Sequence, residues 1–212
     1  MIHPLAVTLP AKSPPRSRWL TRSEAAKLLR ASSPHLRRFI LIGLYTGTRL
    51  EAILDLRWTH SLTAGWVDVD NGVIHRQGAA ERVTNKRRRS VKMNRRLAAH
   101  MRRWARMGGA HVVEYEGQPI KSVKTALRKA SKRAKIDSVS AHVLKHTAVT
   151  WAFQAGMTLE DASDYFSTTA ATLENVYRQH SPEYQHRAVS IMDNLRQSVR
   201  VSVQVSRGKK PK

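Results

Sequence analysis

The side chains with chemistry to offer in this chain are cations, a pair of histidines and a few tyrosines. There is no cysteine, which removes thiol nucleophiles, disulfide frameworks and zinc sites of the cysteine-containing kinds. His142 and His146 stand four apart, a spacing that suits a metal on one helix face, but the H-E-x-x-H glutamate is missing and no metal or other cofactor is expected. Arg49 follows the Thr46-Gly47-Thr48 turn, and Lys86-Arg87-Arg88-Arg89 form a cationic run. Lys121, Lys124, Arg128, Lys129, Lys132 and Arg133 recur along one helical stretch. Runs of this kind either sit in solvent or reach backbone phosphates, where they give affinity and salt dependence with little choice of sequence. Tyr177 lies in an amphipathic stretch, where a tyrosine alone is more often half-buried packing than a reactive phenol.

The composition favours the phosphate reading. The 212 residues hold 38 Lys+Arg against 15 Asp+Glu, a net charge of +23 at pH 7, within an ordinary 41% hydrophobic content. A surface so basic calls for a polyanionic partner, and nucleic acid is the commonest. The longest apolar run, Phe39 to Tyr45, is too short to span a bilayer, and the N-terminus lacks the apolar core of a signal peptide. A DNA-associated protein of the cytoplasm is expected.

The elements that must position these groups follow from local signals. Residues 1–18, with four prolines, read as a flexible lead-in or the end of a linker, 19–200 as one domain, and 201–212 as a basic tail. Thr21-Arg22-Ser23-Glu24 is a capping box, and Pro34 to Tyr45 a helix that Gly47 ends. Glu51 to Trp58 reads as a further short helix. Val67, Val69, Val73 and Ile74 flank Asn71-Gly72, a two-residue hairpin signal, and Arg89 to Met93 supplies another strand. Helices are expected over Asn94–Met107, Lys121–Lys135, His142–Ala155, from Thr158, over Ala170–His180 and over Glu183–Val199, with a short strand at His111–Tyr115. The fold class is α+β, mostly helical, with a small antiparallel sheet inserted among the helices.

Four segments, in order, resemble the catalytic domain of the tyrosine recombinases, the phage integrase family. Tyr45 to Trp58 (YTGTRLEAILDLRW) is similar to the family's T-G-x-R helix end followed by an apolar helix. His142 to Thr147 (HVLKHT) is similar to His-x-Leu-Arg-His-Thr, and Leu173 to His180 (LENVYRQH) to the nucleophile helix. Between the first two of these segments lies the basic hairpin turn where the family keeps a lysine. The resemblance implies catalytic roles for Arg49, Lys86, His142, Lys145, Ser167 and Tyr177. Arg49 would clamp a phosphate with its planar fork, Tyr177 would attack phosphorus, Lys86 would protonate the leaving 5′ oxygen, and His142 would donate to the phosphate or relay a proton. Arg87, Arg88, Lys121, Lys124, Arg128 and Lys132 would hold DNA.

The departures from the family pattern are specific. Lys145 stands where the family has its second arginine, keeping the charge and losing the fork. Tyr165-Phe166-Ser167 stands for a Leu-Gly-His run, which puts Ser167 in the third place. Thr84-Asn85-Lys86 sets Lys86 one residue beyond the usual lysine, and Lys92 is the alternative. The resemblance implies double-stranded DNA as partner, a tetramer on DNA with a monomeric isolated chain, and site-specific integration or excision through a 3′-phosphotyrosyl intermediate. A degenerate, non-catalytic DNA-binding protein on the same fold is the runner-up. A basic RNA- or chromatin-associated module is the third reading, and it requires Arg49, His142, Lys145 and Tyr177 to fail to converge.

Overall fold

The computed structural model describes residues 18–80, 88–177, 189–190 and 192–193. Arg18, Trp19 and Leu20 precede the expected capping box among the described residues. Leu20 is fully buried; its N–H donates to Thr147 Oγ1 (2.9 Å) and its carbonyl accepts from Trp151 Nε1 (3.0 Å). Helix α1 (Arg22–Arg30) then starts on the capping box, with Glu24 N–H donating to Thr21 Oγ1 and Thr21 N–H to the Glu24 carboxylate (3.1 and 2.9 Å). Thr21→Ala is expected to cost about 1 kcal/mol, read as a lower denaturant midpoint at unchanged slope.

Helix α2 (Pro34–Thr46) buries Leu36, Phe39, Ile40, Ile42 and Leu44, and Gly47 ends it in the left-handed conformation (φ +59°). Helix α3 (Leu50–Leu54) is shorter than the expected 51–58 helix. The chain leaves it because residues 56–58 are needed as extended backbone. Arg57 bridges Trp66 on one side and His111 on the other, and Leu56 O accepts from Val112 N–H (2.9 Å). Two rows of otherwise unpaired backbone groups outweigh one more helical turn.

Strands β1 (Trp66–Asp68), β2 (Val73–His75) and β3 (Val91–Lys92) form an antiparallel sheet in the order β1-β2-β3. Asp68 pairs with Val73, so the connection is the four residues Val69–Gly72, where two were expected. The Asp68 carboxylate accepts from the backbone and side-chain N–H groups of Asn71 (2.9 and 2.8 Å), and this Asx turn sets the longer loop. Helix α4 (Arg95–Ala105), capped by Asn94, buries Leu97, Ala98, Met101 and Trp104. The expected 111–115 strand reduces to a bridge at His111 and to β4 (Glu114–Tyr115), paired with β5 (Gln118–Pro119).

Helices α5 (Lys124–Ala134), α6 (Ala141–Gln154), α7 (Leu159–Tyr165) and α8 (Ala170–Tyr177) complete the described fold. Helix α2 packs chiefly on α6, and α1 on α5. Arg133 of α5 donates twice to Ala31 O (3.0 and 2.7 Å), so this cation caps α1. One apolar core runs from Leu20 and α1 through α2, the sheet and α4 to Leu144 on α6. A second, smaller cluster joins Ala148 and Val149 of α6 to Ala162, Phe166 and Leu173. The expected lead-in up to residue 17, the cationic turn through residue 87, and the basic tail lie outside the described residues. Of the expected 183–199 helix, 189–190 and 192–193 are described, and they are helical. No helix among the described residues is long and apolar enough to cross a membrane.

Candidate active site

The turn after α2 decides where Arg49 stands. Thr46 Oγ1 donates to Ile42 O (2.7 Å), which uses its one proton, so the 2.6 Å contact between the Thr46 and Thr48 hydroxyls has Thr48 as donor. Gly47 between them lies against the Phe166 ring. A Cβ there would come 2.5 Å from Phe166 Cδ1. The chain emerges at Arg49, which is exposed and takes the N-cap position of α3.

Lys145 comes to the same place from α6. Its half-buried ammonium donates to Thr168 Oγ1 (2.9 Å) and Phe166 O (3.4 Å), in the turn between α7 and α8. Burial, with Arg49 and Arg76 nearby, brings its pKa down to about 8. Ser167, in that turn, is 5% exposed and has φ +48°, backbone that glycine adopts without strain. Its hydroxyl oxygen accepts from Arg76 Nη1 (2.9 Å) and from Arg89 N–H (3.2 Å).

Arg76, just beyond β2, is the residue that sequence reasoning missed. It is 4% exposed, and its N–H groups meet five oxygens: Thr48 Oγ1, Thr46 O, Tyr165 O, Ser167 Oγ and Arg89 O, at 2.8 to 3.3 Å. Burial pulls its pKa down to about 10, with Tyr165 opposing and Arg49 adding to the effect, and it remains a cation at neutral pH. A signal for it exists. Arg76 shares the parity of buried Ile74, so alternation turns it inward, and a charged residue on the core side of a strand is rarely idle.

Arg49, Arg76, Arg88 and Lys145 line one cleft with Thr48, Phe166 and Ser167. Arg88 also meets Glu51 (3.8 Å), and Arg89 pairs with Asp164 across the rim. His142 is exposed on the first turn of α6 and is not among the lining residues. Its Nε2 lies 2.8 Å from Nε2 of buried His146, a hydrogen bond that needs one ring as acceptor and so one neutral imidazole. Tyr177 lies on α8, one turn beyond fully buried Leu173. Lys86 and Arg87 lie outside the described residues. Lys92 is exposed on β3 and does not line the cleft. Lys121, Lys124, Arg128 and Lys132 are exposed on or just before α5. No group of three or more potential metal ligands occurs among the described residues.

The sequence model of the phage integrase family matches residues 18–183. The chain belongs to the phage integrase family. No curated protein matches it. Among solved structures, this family member is similar to XerA recombinase at 19% identity (TM-score 0.64, covering 82% of this chain and 67% of that one). It is similar to the Tn1549 transposon integrase in complex with circular intermediate DNA at 18% identity (TM-score 0.62, 77% and 63%). The catalytic domain of bacteriophage HP1 integrase matches at 16% identity (TM-score 0.56, 82% and 95%). At such identities the likeness is one of fold. The mostly helical phage integrase family chain with its small antiparallel sheets has the architecture of a tyrosine recombinase catalytic domain.

Proposed function

We propose that the chain cleaves and rejoins DNA strands in site-specific recombination. The observation that supports this most is the convergence of Arg49, Arg76, Arg88 and Lys145, from four separated stretches of sequence, on one cleft beside the turn that leads into α8. A phosphodiester is the group such a cleft suits. Its negative oxygens repel nucleophiles until cations neutralise them, and the field of fixed cations costs no reorganisation when charge builds in the transition state.

In the proposed reaction the Tyr177 phenolic oxygen bonds to phosphorus as the bond to the 5′ oxygen breaks. The phenolic proton leaves through His142 or water, and Lys86 protonates the departing 5′ oxygen, which leaves as a hydroxyl. The DNA 3′ end is held as a phosphotyrosine, which keeps the phosphodiester's energy for attack by another 5′ hydroxyl. Arg49 takes two non-bridging oxygens through its fork, and Lys145 takes one as a point charge. The left-handed backbone of Ser167 fits the glycine of the family's Leu-Gly-His run. The matching stretch then becomes Phe166-Ser167-Thr168, and Thr168, whose hydroxyl already meets Lys145, takes the third place. Exposed Lys121, Lys124, Arg128 and Lys132, with Arg87 and the half-buried Arg88, would hold the duplex backbone. Assembly as a tetramer on DNA, from a monomeric free chain, belongs to the same proposal, as does a role in integration or excision of a mobile element.

A second reading, DNA binding without cleavage, draws on Lys145. Its ammonium already donates to Thr168 and Phe166 O, and a lysine lacks the bidentate grip. A nicked duplex that sheds a short fragment after cleavage separates the two. An SDS-resistant protein–DNA adduct supports cleavage. A bound target site that yields no adduct, even with Lys145→Arg, leaves binding alone.

Lys145 also gives the reaction a pH limb. Its ammonium is the phosphate-binding form, present below about pH 8 in the free protein and lost above it. Adduct formation at subsaturating DNA is expected to fall as pH rises through 8 and to stay level to about pH 9.5 in Lys145→Arg, since arginine remains charged. The same depressed value contributes to stability with a definite sign. Between about pH 8 and the ordinary 10.5 the unfolded chain binds this proton more tightly, so this group's contribution rises with pH across that window.

A further inference from the structure

Five oxygen acceptors around one buried guanidinium are more than packing requires. The acceptors belong to three segments that meet nowhere else in the sequence. Thr46 O and Thr48 Oγ1 flank the turn that delivers Arg49. Arg89 O leads into β3 directly after the cationic turn. Tyr165 O and Ser167 Oγ belong to the turn between α7 and α8, whose Phe166 O and Thr168 Oγ1 receive the Lys145 ammonium. Each segment carries a group that the proposed reaction uses, and all three converge on a single side chain from β2. The acceptors are carbonyls and hydroxyls, so the charge of Arg76 is solvated by dipoles and still faces the cleft it lines.

We infer that Arg76 is a positioning residue of the cleft: its guanidinium sets the Arg49 turn, the Arg89 strand and the α7–α8 turn relative to one another, and through the last of these it places the Lys145 ammonium. This builds on the proposed phosphate-binding role of the cleft but does not depend on catalysis. With all five N–H groups satisfied, Arg76 itself has no donor left for substrate, which separates it from Arg49 and Lys145. The planar fork matters because only a guanidinium offers five donors in fixed directions. A lysine offers three on a single nitrogen and reaches at most one or two of these segments.

The charged and titratable groups around Lys145 are Arg49 from α3, Arg76 beside β2 and Arg88 ahead of β3. His142 and His146 are near in sequence on its own helix, and Asp164 and Tyr165 of α7 act on Arg76. Positioning and charge therefore predict different outcomes for the lysine. If Arg76 acts by holding the α7–α8 turn over the amine, Arg76→Lys releases the turn, the amine gains water, and its titration moves up although the charge is kept. If Arg76 acts by charge alone, Arg76→Lys changes nothing at Lys145.

The test is competitive acetylation of Lys145 across pH 6–11, read by peptide mass spectrometry, on the full chain with folding checked by circular dichroism. The wild-type midpoint is expected near 8. In Arg76→Lys and Arg76→Met it is expected to rise by about one unit or more, and protection of Lys145 by a double-stranded oligonucleotide is expected to be lost. A folded Arg76→Lys with its midpoint still near 8 overturns the inference. Should both variants fail to fold, Thr48→Val combined with Ser167→Ala removes two of the five ties and keeps the arginine; a raised midpoint supports the inference and an unchanged one overturns it. If DNA fails to protect Lys145 in the wild type while the midpoint shifts as expected, the phosphate role of the cleft falls and the placement by Arg76 stands.

Discussion

Tyr177→Phe is expected to leave a nicked duplex bound and uncut. The substitution removes one oxygen and no formal charge, so affinity should stay within about 2-fold. The covalent adduct should fall by about 10⁴-fold or more, because no general base or charge can replace an absent nucleophile. Two other described tyrosines are poorer candidates. The one proton of the Tyr165 hydroxyl is shared between Tyr45 O (3.1 Å) and Lys92 O (3.4 Å), and burial raises its pKa, which makes a weaker attacking group. Tyr115 is exposed on β4, and a hydrogen bond with Glu116 raises its pKa as well. Denaturing gels of wild type and variant on the same nicked substrate give the comparison. An adduct of equal yield from Tyr177→Phe would place the nucleophile elsewhere.

The second large effect is on the fold and reaches the site through it. Gly47→Ala should lower stability by roughly 2–4 kcal/mol: a side chain at φ +59° is strained, and its Cβ would press 2.5 Å from the Phe166 ring. For a chain of this size that corresponds to a melting temperature lower by roughly 5–15 °C. The ring cannot yield cheaply, because Phe166 packs against Ala162 and Leu173 in the smaller cluster, and its carbonyl accepts from Lys145. Adduct formation measured well below the new melting temperature should also drop, since the turn carrying Arg49 must shift to make room. A variant that melts with the wild type would mean that the ring and the turn are not in contact.

Much of this was legible in the residues because capping is local chemistry. Thr21, Asn94 and Thr158 each accept from the backbone N–H three residues on, where their types and the following apolar spacing put helix starts; Ser140 caps α6 in the same way, two residues ahead of the expected start at His142. Gly47 ended α2 for the same kind of reason. What was not legible depended on partners distant in the chain. Glu51 to Trp58 reads as helix by propensity, and the pairing of Arg57 with Trp66 and His111 overrode its second half. The Asn71-Gly72 signal was right about a turn and wrong about its length, because the Asp68 side chain supplied a hydrogen bond that the dipeptide rule ignores. In the cleft, Arg49 and Lys145 stood in recognisable runs. Arg76 stood in none, and its meaning appears only when residues 46, 89, 165 and 167 are brought around it.

The division of the apolar interior into a large core and a small cluster has a thermodynamic consequence. Ala148, Val149, Ala162, Phe166 and Leu173 hold α7 and the start of α8 to the rest, with the polar ties to Arg76 and Lys145 beside them. Such a unit has little hydrophobic area to lose, so it opens at a lower free energy than α2 and the sheet. In a hydrogen-exchange experiment its amides would be labelled as a group, ahead of those in the main core. If Tyr177 is the nucleophile, as proposed, the helix that carries it would detach and return while the main core stays folded. The timing of strand attack would then be governed by a local equilibrium, separate from the one that keeps the protein folded.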